Sequence, residues 1–187
     1  MRPLTEEETK TLFEKLAHYV GSSLKNIIAP LDNSPKADRY VFRISGSRIY
    51  YVKLSLANLA VSVPRDTLLS LGICMGKFTK TGKVRLHITA LPILAEHARY
   101  KLHIRPNGVM PFLYGSNLSR AHLARLPQDI PEHSGVIVCT QDDVPVGFGI
   151  MARSSAEANR LDPTGVVCFR QADCGEYLRD EDTLFAG

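Results

Sequence analysis

Apolar and polar residues alternate along segment 83–89 (KVRLHIT), which is the spacing of a half-buried β-strand. The face predicted to meet the core carries Val84, Leu86 and Ile88. The opposite face carries Lys83, Arg85 and His87. A Thr81-Gly82 turn precedes the strand, so the pattern predicts a β-hairpin with a basic outer face.

The N-terminal segment predicts an amphipathic helix. Thr5 and Glu8 have the spacing of a capping box, and acidic residues fill the first turn. Apolar residues then recur at helical spacing, at Leu12, Leu16 and Val20. Gly21 provides the stop, and the turn-rich segment 26–40 predicts an irregular connection.

Two further patterns complete an N-terminal unit. Segment 39–52 (RYVFRISGSRIYYV) alternates on both sides of a Ser-Gly-Ser turn and predicts a hairpin. Segments 54–63 and 66–71 predict two short helices. Antiparallel strands mixed with helices indicate an α+β domain, which we assign to residues 1–93.

The pattern changes after position 94. An Asn107-Gly108 pair between two apolar runs predicts a hairpin, and segment 116–126 predicts one short helix. Three apolar strand candidates follow, at 135–140, 144–152 and 165–173. Short strands with frequent Gly and Pro predict a small barrel over residues 94–187. The predicted fold class is therefore α+β, an N-terminal sandwich-like domain of antiparallel sheet and helices followed by a barrel.

Composition limits the possible chemistry. The 187 residues are 44% hydrophobic and 22% charged, which is typical of a folded globular protein. No apolar run reaches the ~20 residues of a membrane helix, and the polar N-terminus is unlike a signal sequence, so we expect a soluble intracellular protein. The four cysteines show no metal-type spacing and the histidines are scattered. We expect reduced, structural cysteines, with no metal and no cofactor.

Catalytic motifs are missing from the sequence. It contains no GxGxxG, no GxxxxGK[ST] and no GxSxG. Asp142-Asp143 lies in a predicted turn, while Glu176 and the acidic group 180–182 are most simply a solvated tail. We therefore predict that the protein is not an enzyme and has no catalytic residues.

The charge is unevenly distributed. Residues 1–93 hold 14 Lys and Arg against 7 Asp and Glu, a net charge of +7, whereas residues 94–187 hold 9 against 12, a net charge of −3. The stretch between Asp66 and Glu96 has no carboxylate. Its four candidate phosphate-binding cations are Lys77, Lys80, Lys83 and Arg85. The alternative is a solvated edge strand whose lysines discourage aggregation.

A second basic group lies in the C-terminal half. Arg153 and Arg160 flank a segment that begins with Ser154 and Ser155, and the planar guanidinium suits phosphate recognition. The alternative interpretation pairs Arg153 with Glu157, and Arg160 with its neighbour Asp162, as exposed ion pairs of small energetic effect. Lys101, between Arg99 and Arg105, is a further candidate RNA-binding cation.

Several long segments together resemble one family. They are MRPLTEEET, GKFTKTGKVRLHIT, PFLYGSNL, VPVGFGIMARS, LDPTGVVCFRQAD and GEYLRDEDTLF. These are similar to the eukaryotic factors for 60S ribosomal-subunit biogenesis that carry a C-terminal PUA domain, the Nip-seven family. The resemblance runs from Met1 to about Phe185 and implies an N-terminal α+β (pre-PUA) domain packed against a PUA pseudo-barrel. It also implies that the region of Arg153 and Arg160 binds RNA, because archaeal relatives carry a basic cluster there.

The resemblance implies a function as well. Family members are non-enzymatic, act in pre-rRNA processing and large-subunit maturation, and bind uridine-rich single-stranded RNA and other pre-60S assembly factors in the nucleus and nucleolus. We expect a monomer that does not contact membranes. Two alternatives stay open: a protein–protein adaptor in pre-ribosomes whose RNA contact is secondary, and a targeting subunit of an RNA-modifying enzyme.

Overall fold

The strands of the protein form two sheets, one from each half of the chain. The computed structural model describes residues 1–29, 38–64, 67–68 and 70–185. The first sheet is antiparallel throughout and its strands follow chain order. Its strands are β1 (Arg2–Pro3), β2 (Tyr40–Ser45), β3 (Arg48–Lys53), β4 (Ile73–Phe78) and β5 (Val84–Leu86).

The second sheet has six strands and curls into a nearly closed barrel. They are β6 (Lys101–Ile104), β7 (Leu118–Ser119), β8 (Leu123–Arg125), β9 (Gly135–Cys139), β10 (Pro145–Met151) and β11 (Val166–Asp173). The spatial order is β7-β11-β10-β9-β6-β8, and the one parallel pair is β6 with β9. Together the two sheets confirm the predicted α+β class, with an antiparallel N-terminal sheet followed by a barrel.

Eight α-helices connect and cover the described strands. They are α1 (Glu6–Val20), α2 (Leu24–Ile28), α3 (Leu54–Leu59), α4 (Leu91–Glu96), α5 (Pro106–Leu113), α6 (Ser155–Ala158), α7 (Glu176–Arg179) and α8 (Glu181–Phe185). The predicted capping box of α1 is confirmed: the Glu8 N–H donates to Thr5 Oγ1 at 3.2 Å and the Thr5 N–H donates to Glu8 Oε2 at 2.9 Å. Gly21 ends α1 with a φ of 57°, a conformation that glycine adopts without a steric penalty.

Helix α1 contributes to a core that both halves of the chain share. Its residues Leu12, Leu16, Tyr19 and Val20 are buried, and the same apolar cluster contains Phe148 of β10. The Tyr19 and Phe148 rings meet edge to face with centroids 5.4 Å apart. A separate cluster fills the interior of the barrel.

The close contact of α1 with the barrel depends on Gly135. A Cβ atom at this position would lie 2.7 Å from Tyr19 Cδ1 and 2.8 Å from the His18 carbonyl oxygen. Only a residue without a side chain allows this approach. The predicted division between residues 93 and 94 falls within α4, whose buried Leu94 belongs to the shared core, and it stays a prediction.

Several predicted elements are confirmed. The hairpins β2–β3 and β4–β5 have the expected turns, and the three apolar segments of the C-terminal half form β9, β10 and β11. The helix predicted over 54–63 is present as α3 followed by a 3-10 turn at Ala60–Ser62.

The hairpin predicted at Asn107-Gly108 is wrong. Both residues lie in the first turn of α5, which begins at Pro106. Proline at the first helical position favours a helix, and Gly108 packs against His122 so closely that a Cβ would lie 2.7 Å from the histidine Cβ. Strand β6 pairs instead with β8 and β9, so tertiary pairing overrides the local turn signal.

The helix predicted over 116–126 is also wrong. This segment forms β7, a 3-10 turn at Arg120–His122, and β8. Sheet pairing decides the outcome, because Leu118 pairs with Cys168 and Leu123 pairs with Ile104.

Two predictions fall partly outside the described residues. The connection expected over 26–40 includes helix α2, which reaches Ile28, whereas 30–37 lie outside the description. In the helix expected over 66–71, positions 66 and 69 lie outside it, and the described Thr67 and Leu68 are not helical.

Asp173 and Glu176 belong to a buried charge network, whereas Asp180, Glu181 and Asp182 are exposed as expected. Asp173 is fully buried and accepts hydrogen bonds from Arg170 Nη1 at 2.5 Å, Arg179 Nη2 at 2.9 Å and the Gly175 N–H at 2.8 Å. Glu176, expected in a solvated tail, is buried and accepts from Arg170 Nη1 at 2.7 Å. The expectation for Glu176 is wrong because α7 packs next to β11, where Arg170 binds the Glu176 carboxylate.

We expect Asp173→Asn to lower the free energy of unfolding by about 3 kcal/mol, because it removes the charged acceptor of Arg179 and one of the two carboxylates that bind Arg170 in a buried site. Urea denaturation measures the change. Asp142→Asn, in an exposed turn, is the matched control and should change stability by less than about 0.5 kcal/mol. Equal effects of the two substitutions would contradict a stabilising role for the buried network.

Candidate nucleic-acid interface

A row of basic side chains crosses the first sheet. In the strand register Arg48 of β3 lies opposite Lys77 of β4, which lies opposite Arg85 of β5. Residues that are directly paired in an antiparallel sheet point to the same face. We call Arg48, Lys77 and Arg85 the cationic row; it brings together two residues predicted from the sequence and one that the sequence analysis missed.

The hairpin tip extends the positive charge beyond the cationic row. The Thr79 N–H donates to the Lys83 carbonyl oxygen at 2.8 Å, and this bond closes the turn. Lys80 and Lys83 are exposed on either side of Gly82. Four of the predicted cations therefore lie on one hairpin, as its alternation indicated. Among the described residues, none of these four forms an ion pair with a carboxylate.

His87 does not belong to the exposed basic face on which the sequence placed it. The strand ends at Leu86, and the His87 side chain is buried, with Nδ1 3.9 Å from Cys74 Sγ. Burial, followed by the charges of Arg48, Lys77 and Arg85, lowers the pKa of His87 to about 4. His87 is therefore neutral at pH 7 and contributes no positive charge to this face.

Arg48 links the cationic row to the end of the chain. Its guanidinium donates to the carbonyl oxygens of Thr183 and Leu184 in α8, both at 2.5 Å. A cation near the C-terminal carbonyls of a helix is electrostatically favourable. Arg48 thus has a structural role. In the sequence, only its position directly after the hairpin turn could have indicated that it belongs to this row.

Lys101 is engaged by an acidic neighbour. Its Nζ lies 3.0 Å from Asp143 Oδ2, and His103 Nε2 lies 3.1 Å from the other carboxylate oxygen. Hydrogen bonding from Lys101, then from His103, lowers the pKa of Asp143. The positive charge of Lys101 is therefore partly compensated, and its predicted contact with RNA stays a prediction.

Arg153 and Arg160 flank α6 and are both exposed. Ser154 caps this helix by accepting from the Glu157 N–H at 3.4 Å. Ser155 is buried and its Oγ accepts from the Ile130 N–H at 3.1 Å, and the burial makes its hydroxyl inaccessible to a ligand. In the part of the chain that the structure describes, neither arginine forms the ion pair that the alternative interpretation required.

Two domain descriptions cover almost the whole chain. "NIP7/UPF0113, pre-PUA domain" matches residues 1–88 and "UPF0113 PUA domain" matches residues 100–182. Among curated proteins, the "60S ribosome subunit biogenesis protein NIP7" of Saccharomyces cerevisiae is 60% identical over 185 residues, 99% of each chain. The homologue of Xenopus tropicalis is 46% identical over 98% of this chain and 99% of its own. The chain belongs to the NIP7 family.

Solved structures support the fold at low sequence identity. A hypothetical protein of Pyrococcus horikoshii superimposes with a TM-score of 0.58 at 12% identity, covering 96% of this chain and 98% of that one. A PUA domain protein of Thermoplasma acidophilum gives 0.55 at 11% identity, over 96% and 97%. Residues 100–182, which contain the barrel, match the PUA domain of the family, so the barrel is a PUA domain.

The cysteines and the other possible metal ligands lie in surroundings that indicate a structural role. The four cysteines are unpaired thiols, and burial raises the pKa of Cys139 to about 11 and that of Cys168 to about 12. Over the described ranges, no three His, Cys, Asp or Glu side chains converge on a possible metal site. None of the described helices combines the length and hydrophobicity needed to cross a bilayer.

Tyr100, Phe112 and Tyr114 are candidate groups for stacking on RNA bases, and their side chains differ in accessibility. Phe112 is fully buried in the barrel core, and Tyr100 is half-buried with the Arg99 guanidinium 4.9 Å from its ring centroid. Tyr114 is 73% exposed. Of these three residues, only Tyr114 has a ring that is mostly exposed to a ligand.

Acid should destabilise the protein through His87. The neutral form is favoured in the folded state, with a pKa of about 4, whereas an unfolded histidine has a pKa near 6.5. The unfolded state therefore binds more protons between pH 6.5 and 4, and the stabilisation present above pH 6.5 is lost as the pH falls. We expect a loss of about 2–3 kcal/mol over this window, measured by urea denaturation.

The variant His87→Gln removes this titration, so its unfolding free energy should depend less on pH than that of the wild type over the same window. His18→Gln, at an exposed position of α1, is the matched control and should follow the wild type. Parallel pH profiles for the wild type and His87→Gln would refute the assignment.

Proposed function

We propose that the protein is a non-enzymatic, RNA-binding assembly factor of the large ribosomal subunit that acts in pre-rRNA processing in the nucleus and nucleolus. The curated relatives are named for 60S subunit biogenesis, and the first of them aligns with 99% of this chain. Ribosome assembly takes place on pre-rRNA, and a PUA domain with exposed arginines provides a surface for it.

The cationic row is the observation on which RNA binding mainly rests. Strands β4 and β5 hold Lys77 and Arg85 in register, so their charges have a fixed spacing on a rigid surface. Arg48 of β3 adds positive charge beside them, although its guanidinium is bound to carbonyl oxygens of α8. Fixed cations on a sheet neutralise phosphates and position an RNA without reading its sequence. Lys80 and Lys83 extend this surface at the hairpin tip, and Arg153 with Arg160 provides a second contact near α6. We propose uridine-rich single strands as the RNA.

We propose a non-enzymatic role because Asp143, Asp173 and Glu176 are held in ion pairs. Asp173 and Glu176 are buried and bound to arginines, while Asp143 is bound to Lys101 and His103. Carboxylates held in this way stabilise the fold and are poor proton-transfer groups. Turnover of RNA by the isolated protein would contradict the proposal.

A second surface favours binding to other assembly factors. Four apolar side chains are exposed within eight residues of α3 and the following turn: Leu56 (45%), Leu59 (69%), Val61 (84%) and Val63 (40%). Exposed apolar side chains that cluster in this way are typical of a protein-binding site. The adaptor function is thus compatible with RNA binding, since the two surfaces use different residues.

RNA binding is tested with a uridine octamer across a salt series. We expect log Kd to depend on log salt concentration, with a slope proportional to the number of neutralised phosphates. The charge reversals Lys80→Glu/Lys83→Glu and Arg153→Glu/Arg160→Glu should each weaken binding and reduce the slope by about 1.4, because each lost contact with a single strand removes about 0.7.

Lys10→Glu/Lys25→Glu is the control, since it makes the same change in net charge at exposed positions of α1 and α2. It should leave the slope close to that of the wild type. If all three double variants weaken binding equally, the effect comes from total charge and the proposed RNA surface is wrong.

The protein-binding surface makes a separate prediction. Leu59→Asp/Val61→Asp should reduce cosedimentation with purified pre-60S particles at least about fivefold, because charged groups cannot enter an apolar contact, and should leave octamer binding unchanged. Leu178→Asp, which alters a leucine that is 86% exposed on α7, is the control. Unchanged cosedimentation of the double variant would exclude this surface.

A further inference from the structure

A small cleft separates the free edge of the first sheet from the barrel. Its volume is about 120 Å³, and its walls come from α1, β5, β10 and β11. Tyr19, Phe148, Val84 and Leu86 contribute apolar atoms to its lining. The lining residues that are not apolar are Lys15, Arg85 and Gln171. The cleft is smaller than the usual site for a small molecule, and its walls combine apolar side chains with polar groups, which suits one small planar ring.

The β5 wall presents unpaired backbone groups. The hydrogen bonds from Thr79 N–H to the Lys83 carbonyl and from His87 N–H to the Met75 carbonyl place residues 83, 85 and 87 in the bonded pairs of the ladder. Val84 and Leu86 alternate with them, so their N–H and C=O groups point away from β4, towards the free edge. Among the described residues nothing bonds to these groups. Both residues line the cleft.

The opposite wall carries a side chain that a β-bulge turns out of the ladder. Phe148 pairs with Ala172 and the next residue, Gly149, pairs with Arg170, so Gln171 is the extra residue of β11. Bulges re-aim side chains at functional sites. The Gln171 side chain is exposed, and its amide group offers both a donor and an acceptor.

The rim of the cleft is positively charged. Arg85 belongs to both the cationic row and the cleft. Lys15 lies on the α1 side, with Nζ 5.9 Å from the centroid of the Tyr19 ring. An RNA backbone that follows the cationic row would therefore bring one of its phosphates to the rim of the cleft.

We propose that this cleft binds one unstacked pyrimidine nucleotide of the RNA, with the ring between β5 and Gln171 and a phosphate at Arg85 and Lys15. The edge of a pyrimidine base alternates hydrogen-bond donors and acceptors, which matches the free N–H and C=O groups of Val84 and Leu86 together with the amide of Gln171. The small volume favours a single ring over a purine. The inference rests on the proposed RNA-binding function and adds a site of base selection to it.

The test compares the binding of uridine, cytidine and adenosine octamers to four forms of the protein, the wild type and three variants, at one low salt concentration and then across a salt series. Gln171→Ala removes the amide, and Gln171→Trp places a large ring at an exposed position on the wall of the cleft. Gln128→Ala, at an exposed glutamine outside the cleft, is the control. Fluorescence anisotropy gives the Kd values, and urea denaturation verifies that each variant is folded.

We expect the wild type and Gln128→Ala to bind the better pyrimidine octamer at least about tenfold more tightly than the adenosine octamer. In Gln171→Trp this ratio should fall towards one, with Gln171→Ala intermediate, while the salt slope stays that of the wild type because the phosphate contacts remain. An unchanged ratio in both Gln171 variants would overturn the cleft proposal and leave RNA binding intact. Failure of the wild type to bind any octamer would overturn the proposed function as well.

Discussion

The contact of α1 with the barrel determines how the rest of the molecule is arranged. Tyr19 packs edge to face on Phe148, and Gly135 allows the helix end to approach the barrel backbone closely. Because one helix buries its apolar stripe in a core that both sheets share, the free edge of β5 is held at a fixed distance from β10 and β11. The relative position of the two basic regions and the cleft between the sheets follow from this contact.

Buried and exposed charges are treated differently in this protein: the buried charges are paired, and the cations of the β4–β5 hairpin are exposed. The arginines of the C-terminal segment are bound to Asp173 and Glu176, because an unpaired charge in a buried site is costly. The hairpin of β4 and β5 holds its cations at the surface, in a stretch of sequence that contains no carboxylate. The first group stabilises the attachment of α7, whereas the second leaves its electrostatic potential available to an anion. Burial of His87 beneath the row keeps this potential independent of pH near neutrality.

The two ends of the chain meet at the cationic row. Arg48 donates to backbone carbonyls of α8, so the C-terminal helix is fixed against the N-terminal sheet. Leu184 of this helix is buried in the shared core, which adds a hydrophobic contribution to the same attachment. The pre-PUA and PUA regions therefore hold one another through α1 and again through α8, and a rigid arrangement suits a surface that must match phosphates at fixed spacing.

The sequence alone determined the local structure that depends on short-range patterns. Neighbouring residues are enough to specify the cap formed by Thr5 and Glu8, the alternation of β5 and the turns of the two hairpins. The long family motifs made the α+β class and the PUA barrel predictable. Tertiary structure alone decided what depends on distant partners. It placed Asn107 and Gly108 in a helix, buried His87 and Glu176, and added Arg48 to the cationic row. Register across three strands and the desolvation of a side chain are set by residues far apart in the chain, and no local pattern records them.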